Sequence, residues 1–316
     1  MRMSFSGPFI RFLARLSSTP ASLFESPKLN PPGLCYSPRM LLTLAASSLR
    51  SKLWLKPGRP PAGTMLLRDL PRFVRETLGL HGLNISTDLL AGADVPQLDA
   101  LRDAADKASC PCLVLVRPEP LPFFSNNDTK GDDAIERMSR VVQAAHRLGC
   151  NSAALFIAPD ADDGEDDAFD LASERLRKVM SVAEKREVNL LIGSGKGPTL
   201  EPDRLTDLIK RVGGFRIGTY PDYQTAAASA DPLAYLRRLT PYASAVTAST
   251  IGFKAGKAGP EHLGYDLVEF TKAVLAVGYT GTLAIDYRGD GDPEEGIRNS
   301  KTVLESVVGV EVTDQP

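Results

Sequence analysis

Asp286 and Arg288 stand two residues apart in the stretch Gly278-Tyr-Thr-Gly-Thr-Leu-Ala-Ile-Asp286-Tyr-Arg288-Gly-Asp-Gly-Asp-Pro293. Gly278 reads as a helix stop, Thr282 to Ile285 as a short apolar strand, and Asp292-Pro293 as the start of a new helix. A buried strand that ends in a carboxylate before a glycine loop is a common way for α/β proteins to present a proton-transfer group or a metal ligand. The competing reading is a carboxylate that caps a turn. Other strand ends with chemistry of their own would favour the first.

Such ends recur. Seven further apolar runs, at 41–46, 83–86, 113–116, 153–157, 188–192, 215–218 and 243–247, are short and nearly continuous, as strands covered on both faces should be. Past their ends stand Ser47, Ser48 and Arg50; Ser86 and Asp88; Arg117 and Glu119; Asp160; Gly193-Ser-Gly-Lys196-Gly; Tyr220, Asp222, Tyr223 and Gln224; and Thr247, Thr250 and Lys254. Asp222 and Asp286 are the carboxylates that could move protons. Arg117, Lys196, Lys254 and Arg288 could hold an anionic ligand or a developing negative charge, with Tyr223 beside them. The glycine amides around Lys196 could cradle an anion, although the pattern is not a phosphate loop.

The elements that must position these residues alternate along the chain. Between the strands, Ile135, Met138, Val141, Val142, Ala145 and Leu148 recur at helical spacing up to Gly149, and Leu205, Leu208, Ile209 and Val212 do so up to Gly213-Gly214. Asp231-Pro232 and the Asp94/Gln97 pair read as helix starts. Eight strands each followed by a helix predict one α/β domain, a (β/α)8 TIM barrel over residues 40–312. A doubly wound sheet would need a glycine fingerprint after the first strand, where the chain has Ala45-Ala-Ser-Ser48. Residues 160–167 read as a solvated acidic loop, without a calcium-loop pattern.

Composition bounds the function classes. Of 316 residues, 43% are apolar and 24% charged, and the net charge of -2 argues against a general nucleic-acid binder. No apolar run is long enough to cross a membrane. Four cysteines, Cys35, Cys110, Cys112 and Cys150, make no disulfide framework and point to a reducing, cytoplasmic setting. Residues 1–60 carry nine Lys/Arg against one acid, Glu25. Residues 1–39 read as an unordered extension: a transit-like leader, or a start placed upstream of a true first residue at Met40.

The order and spacing of Ala144-Ala-His-Arg-Leu-Gly149, Phe215-Arg-Ile-Gly218 with Asp222 beyond it, and Gly278-Tyr-Thr-Gly281 leading into Asp286 resemble the xylose isomerase-like sugar phosphate isomerase/epimerase barrels. That resemblance implies a divalent metal on Glu, Asp, His and Glu of the fifth to eighth strands, with the two Glu residues shuttling a proton through an enediolate. Asp222 matches the Asp, and Asp286 stands in shortened form for the last Glu. Gly193 and Thr247 fall on the other two positions and supply no matching ligand. His81, His146 and His262 lie away from the expected strand ends and do not repair the set. The expectation is therefore no bound cofactor, with at most weak Mg²⁺ or Mn²⁺ on Asp222 and Asp286. The resemblance implies an isomerase or epimerase of carbohydrate metabolism acting on a small sugar, sugar acid or sugar phosphate. A metal-free barrel that binds a sugar without turning it over is the alternative, and an AP-endonuclease-type barrel a distant third. The oligomeric state stays open.

Overall fold

The structure is a computed structural model that describes residues 40–56, 58–158, 166–195, 197–257 and 259–309, with only the backbone of Asp166. The extension at 1–39, the acidic loop near Asp160 and Lys196 lie outside the described residues.

Eight strands form the barrel wall: β1 Leu41–Ala45, β2 Leu83–Ser86, β3 Cys112–Val116, β4 Ser152–Phe156, β5 Asn189–Gly193, β6 Ile217–Tyr220, β7 Ala245–Thr250 and β8 Thr282–Tyr287. Neighbours pair in parallel from β1 to β6 and from β7 to β8, and β8 returns to β1 through Leu41↔Thr282 to Leu44↔Ile285. Between β6 and β7 closure rests on isolated bridges, Thr219↔Ala243 and Asp222↔Thr247, with Thr247 N–H donating to Pro221 O at 2.9 Å. Gly218 is needed at this seam, because a Cβ there would collide with the Tyr242 carbonyl oxygen. The result is a (β/α)8 TIM barrel.

Two strands sit later than the apolar runs predict. β6 starts at Ile217 because Gly213 and Gly214, both at positive φ, turn the chain there and leave Phe215 in solvent. β7 runs on to Thr250 because its small polar residues, Thr247, Ser249 and Thr250, are buried and paired in the sheet beside β8.

The outer layer is α1 Leu70–Glu76, α2 Val95–Lys107, α3 Asp128–Leu148, α4 Asp166–Lys185, α5 Pro202–Val212, α6 Tyr223–Ala227, α7 Pro232–Leu239, α8 Leu267–Ala276 and α9 Pro293–Val308. Their starts follow the local chemistry. Asp94 and Gln97 exchange hydrogen bonds as a capping box, and Asp231 and Asp292 accept from Ala234 and Glu295 N–H ahead of a proline. α3 ends on Gly149 at φ 78°.

Most of the apolar core lies between strands and helices. A second small cluster, Val114, Ala154, Leu191, Tyr220 and Ala245, fills the lower barrel interior. The chain after β7 forms an antiparallel hairpin, Phe253–Gly256 with Gly259–His262. Among the described residues no helix is long and apolar enough to cross a membrane.

Candidate functional site

Side chains on a strand alternate between faces. Asp286 and Arg288 therefore point the same way, into a cavity of about 820 Å³ at the C-terminal ends of the strands. Because β1 pairs with β8, the 3₁₀ turn after β1 delivers two serines to Asp286. Ser47 and Ser48 Oγ donate to its Oδ1 at 3.0 and 3.4 Å, and Ser48 Oγ also accepts the Tyr287 N–H at 2.9 Å.

Asp222 arrives from β6, where it is the N-cap of α6. Its Oδ1 accepts from Thr225 N–H at 3.0 Å, Thr225 Oγ1 at 3.3 Å and Ser249 Oγ at 3.1 Å. Ser249 accepts in turn from Gln224 N–H, and the Tyr265 phenol donates to the Ser249 carbonyl.

Arg288 joins the two carboxylates. Nε donates to Asp286 Oδ2 at 2.8 Å; Nη2 lies 2.7 Å from that oxygen and 2.6 Å from Asp222 Oδ2; Nη1 donates to Gln224 Oε1 at 2.9 Å. The two carboxylate side chains are 8% and 11% exposed, the guanidinium side chain 39%. Burial pulls the Arg288 guanidinium down, but the charges and hydrogen bonds of Asp222 and Asp286 together outweigh it and hold its pKa above the ordinary value.

The opposite wall is apolar: Val116, Pro118, Pro120, Phe156, Ile157 and Ala158. At the floor Asn84 Nδ2 donates to Tyr220 OH at 3.2 Å, while Asn84 Oδ1 is buried without a protein partner. Burial pushes the Tyr220 phenol up to about 12, so it stays a neutral group.

Of the residues singled out in the sequence, the fold brings Asp222, Asp286 and Arg288 together. Lys196 lies outside the described residues. The other three stand elsewhere. Tyr223 is fully buried, its phenol donating to Thr271 Oγ1 at 3.2 Å and its ring edge-on to Phe270, because the first turn of α6 directs it towards α8. Lys254 projects from the hairpin, 62% exposed and 3.4 Å from Glu261. Arg117 is outside the cavity lining and 3.8 Å from Glu119. Three contributors were missed. Ser249 follows Thr247 by two on the same strand face and was legible by alternation. Asn84 was legible as an amide inside an apolar run. Phe156 carried no signal.

The donors present do not fit the four-ligand metal centre. A Cβ at Gly193 would lie 2.8 Å from Phe156 Cδ1 and closer still to Cε1, so this place holds an aromatic ring and no oxygen. Thr247 lines the cavity with a hydroxyl, and both aspartates already bind a cation, Arg288. Among the described residues no three His, Cys, Asp or Glu side chains group to hold a metal ion. His262 is committed elsewhere: Ile251 N–H donates to Nε2 at 3.0 Å and Nδ1 is 3.1 Å from Tyr265 O. His146 lies on the surface of α3, with Nδ1 3.0 Å from Arg186 O.

The family described as xylose isomerase-like TIM barrel matches residues 76–307. The chain belongs to that family. No curated protein matches its sequence significantly. Among solved structures, this xylose isomerase-like barrel resembles D-psicose 3-epimerase with D-tagatose from Clostridium cellulolyticum H10 at TM-score 0.67 and 13% identity, over 85% of this chain and 99% of that one. L-ribulose 3-epimerase superposes at TM-score 0.68 and 13% identity, covering 88% and 100%. The IOLI protein with a binding zinc atom gives TM-score 0.64 and 16% identity, covering 85% and 98%. At these identities the likeness is one of fold.

Proposed function

We propose that this xylose isomerase-like barrel binds a small, neutral, polyhydroxylated carbonyl compound and moves a proton along it through an enediolate. The observation that carries the reading is Asp286, a carboxylate facing the cavity with a guanidinium at hydrogen-bond distance. In the proposed step Asp286 takes the proton from the carbon next to the carbonyl. Arg288 faces the negative charge that develops on oxygen, and the proton returns to the neighbouring carbon while the hydroxyl proton crosses to the former carbonyl oxygen. No redox partner or metal enters this step.

Two features narrow the reading. Among the described residues the wall opposite Asp286 is Val116, Phe156 and prolines, with no acid or base to return a proton from the other face. That favours one-face aldose–ketose isomerisation over inversion at carbon, which needs acid and base on both sides. The charged groups that line the cavity among the described residues are Asp222, Asp286 and Arg288, net one negative charge. That favours a neutral sugar over a phosphate, while an apolar C–H face of the sugar would lie against Phe156. The free, buried Cys110, Cys112 and Cys150 agree with a reducing, cytoplasmic setting.

The alternative is binding without turnover. It is favoured by the engagement of both oxygens of both carboxylates by protein donors, which weakens either as a base. Solvent deuterium exchange into neutral ketoses and aldoses, run beside their phosphates, separates the readings. Expected is slow exchange at the carbon next to the carbonyl, reduced about a hundredfold or more in Asp286→Asn with ligand binding retained. Binding without exchange in the parent selects the non-catalytic barrel; no binding of any sugar refutes both.

A further inference from the structure

Two carboxylates largely withdrawn from water, one from β6 and one from β8, converge on a single atom. Arg288 Nη2 is 2.6 Å from Asp222 Oδ2 and 2.7 Å from Asp286 Oδ2. Like charges so placed oppose each other's ionisation unless a cation lies between them. A hard divalent ion is one solution, since it binds carboxylate oxygens directly. The other is a guanidinium, whose planar fork matches carboxylate geometry and which stays charged at any working pH.

We infer that Arg288 is the resident cation of this centre, standing where a divalent ion would bridge Asp222 and Asp286 and making the site independent of metal. The surroundings are built for a guanidinium. Gln224 Oε1 accepts from Nη1 at 2.9 Å, a third acceptor matched to the fork. The backbone N–H of Arg288 is tied to Thr250 O at 2.7 Å, so the β7–β8 pairing sets where the side chain starts. Phe156, packed over Gly193, fills the β5 position, and among the described residues no third His, Cys, Asp or Glu joins the two carboxylates to complete a coordination sphere. Arg288 lies two residues beyond Asp286 on the same strand face, so the chain that supplies one carboxylate also supplies its counter-ion. The inference stands whether the cavity turns its ligand over or only binds it.

Removing Arg288 should uncover a vacant pair of carboxylates. The test is Mn²⁺ binding to the full chain after chelator treatment, followed by calorimetry and by electron paramagnetic resonance, with circular dichroism as the check on folding. The parent is expected to take up no Mn²⁺ at this centre. R288Q and R288A are each expected to bind about one ion per chain, at least about tenfold more tightly than the parent, as hard oxygen ligands bind a hard cation. Adding D222N to R288Q should abolish the gain. Saturable Mn²⁺ uptake by the parent that D222N removes overturns the proposal without any Arg288 variant having to fold. So does a folded R288Q that binds Mn²⁺ no better than the parent. If neither Arg288 variant folds but R288Q with D222N does, relief of the unpaired repulsion supports the proposal; if the double variant also fails, the arginine acts as packing and the proposal falls.

Discussion

Replacing Asp222 with asparagine and, separately, with alanine divides its capping role from its ion-pairing role. Asparagine caps a helix about as well as aspartate. Asp222→Asn therefore keeps an oxygen for Thr225 N–H and Ser249 Oγ, and loses the charge and the second acceptor oxygen opposite Arg288. The Arg288 side chain is 39% exposed, so that ion pair is screened and contributes roughly 1 kcal/mol. Asp222→Ala loses the pair and also the cap, which is about 1 kcal/mol more, and leaves buried Ser249 without its acceptor. The expected losses are about 1 kcal/mol for Asn and about 2–3 kcal/mol for Ala. For a domain of this size each kcal/mol lowers Tm by roughly 2–4 °C. Asparagine should therefore cost about 3 °C and alanine about 6–9 °C, read by calorimetry on the full chain at neutral pH. Equal losses from the two substitutions would refute the capping role; no loss from asparagine would refute the ion pair.

Three further outcomes are expected. Gly193→Ala forces a Cβ against the Phe156 ring and should cost about 1–3 kcal/mol as overpacking; combined with Phe156→Ala the loss should be smaller than the sum, and strict additivity would show the contact to be harmless. His262 is half-buried, and burial lowers its pKa below the usual 6.5. The unfolded chain then binds the proton more readily, so the stability this ring contributes is present above about pH 6.5 and fades as pH falls through its lowered value. Hydrogen exchange in the hairpin Phe253–His262, taken relative to the intrinsic amide rate at each pH, should rise between about pH 7.5 and about pH 5 in the parent and stay flat in His262→Gln. Burial pushes the Cys110 and Cys112 thiols up to about 11 and about 12, and raises Cys150 as well. Iodoacetamide at pH 8 should leave all three unmodified in the native protein and label them in urea, as peptide mass spectrometry would show.

The fold was legible in the chain because each of its parts is a local pattern. A strand covered on both faces must be apolar nearly throughout, so eight short runs announce eight strands. Asp94, Asp231 and Asp292 announce helix starts because a cap is settled within three residues. Asp222 and Asp286 were legible as strand-end carboxylates for the same reason. Their partners were not. Ser47 lies 239 residues from Asp286, and Arg288 lies 66 from Asp222, and only barrel closure makes them neighbours. Direction was equally hidden. Tyr223 follows Asp222 directly yet turns outward to Thr271, because the chain enters α6 between them. Lys254 was read as a rim cation and is carried into solvent by a hairpin. The place on β5 where a carboxylate was sought is closed by a phenylalanine from β4, through the pairing of Phe156 with Gly193. Residue type and local pattern are properties of a few consecutive positions, and the sequence alone determined those. Which oxygen meets which nitrogen depends on the register of strands far apart in the chain, and only the tertiary structure decided that.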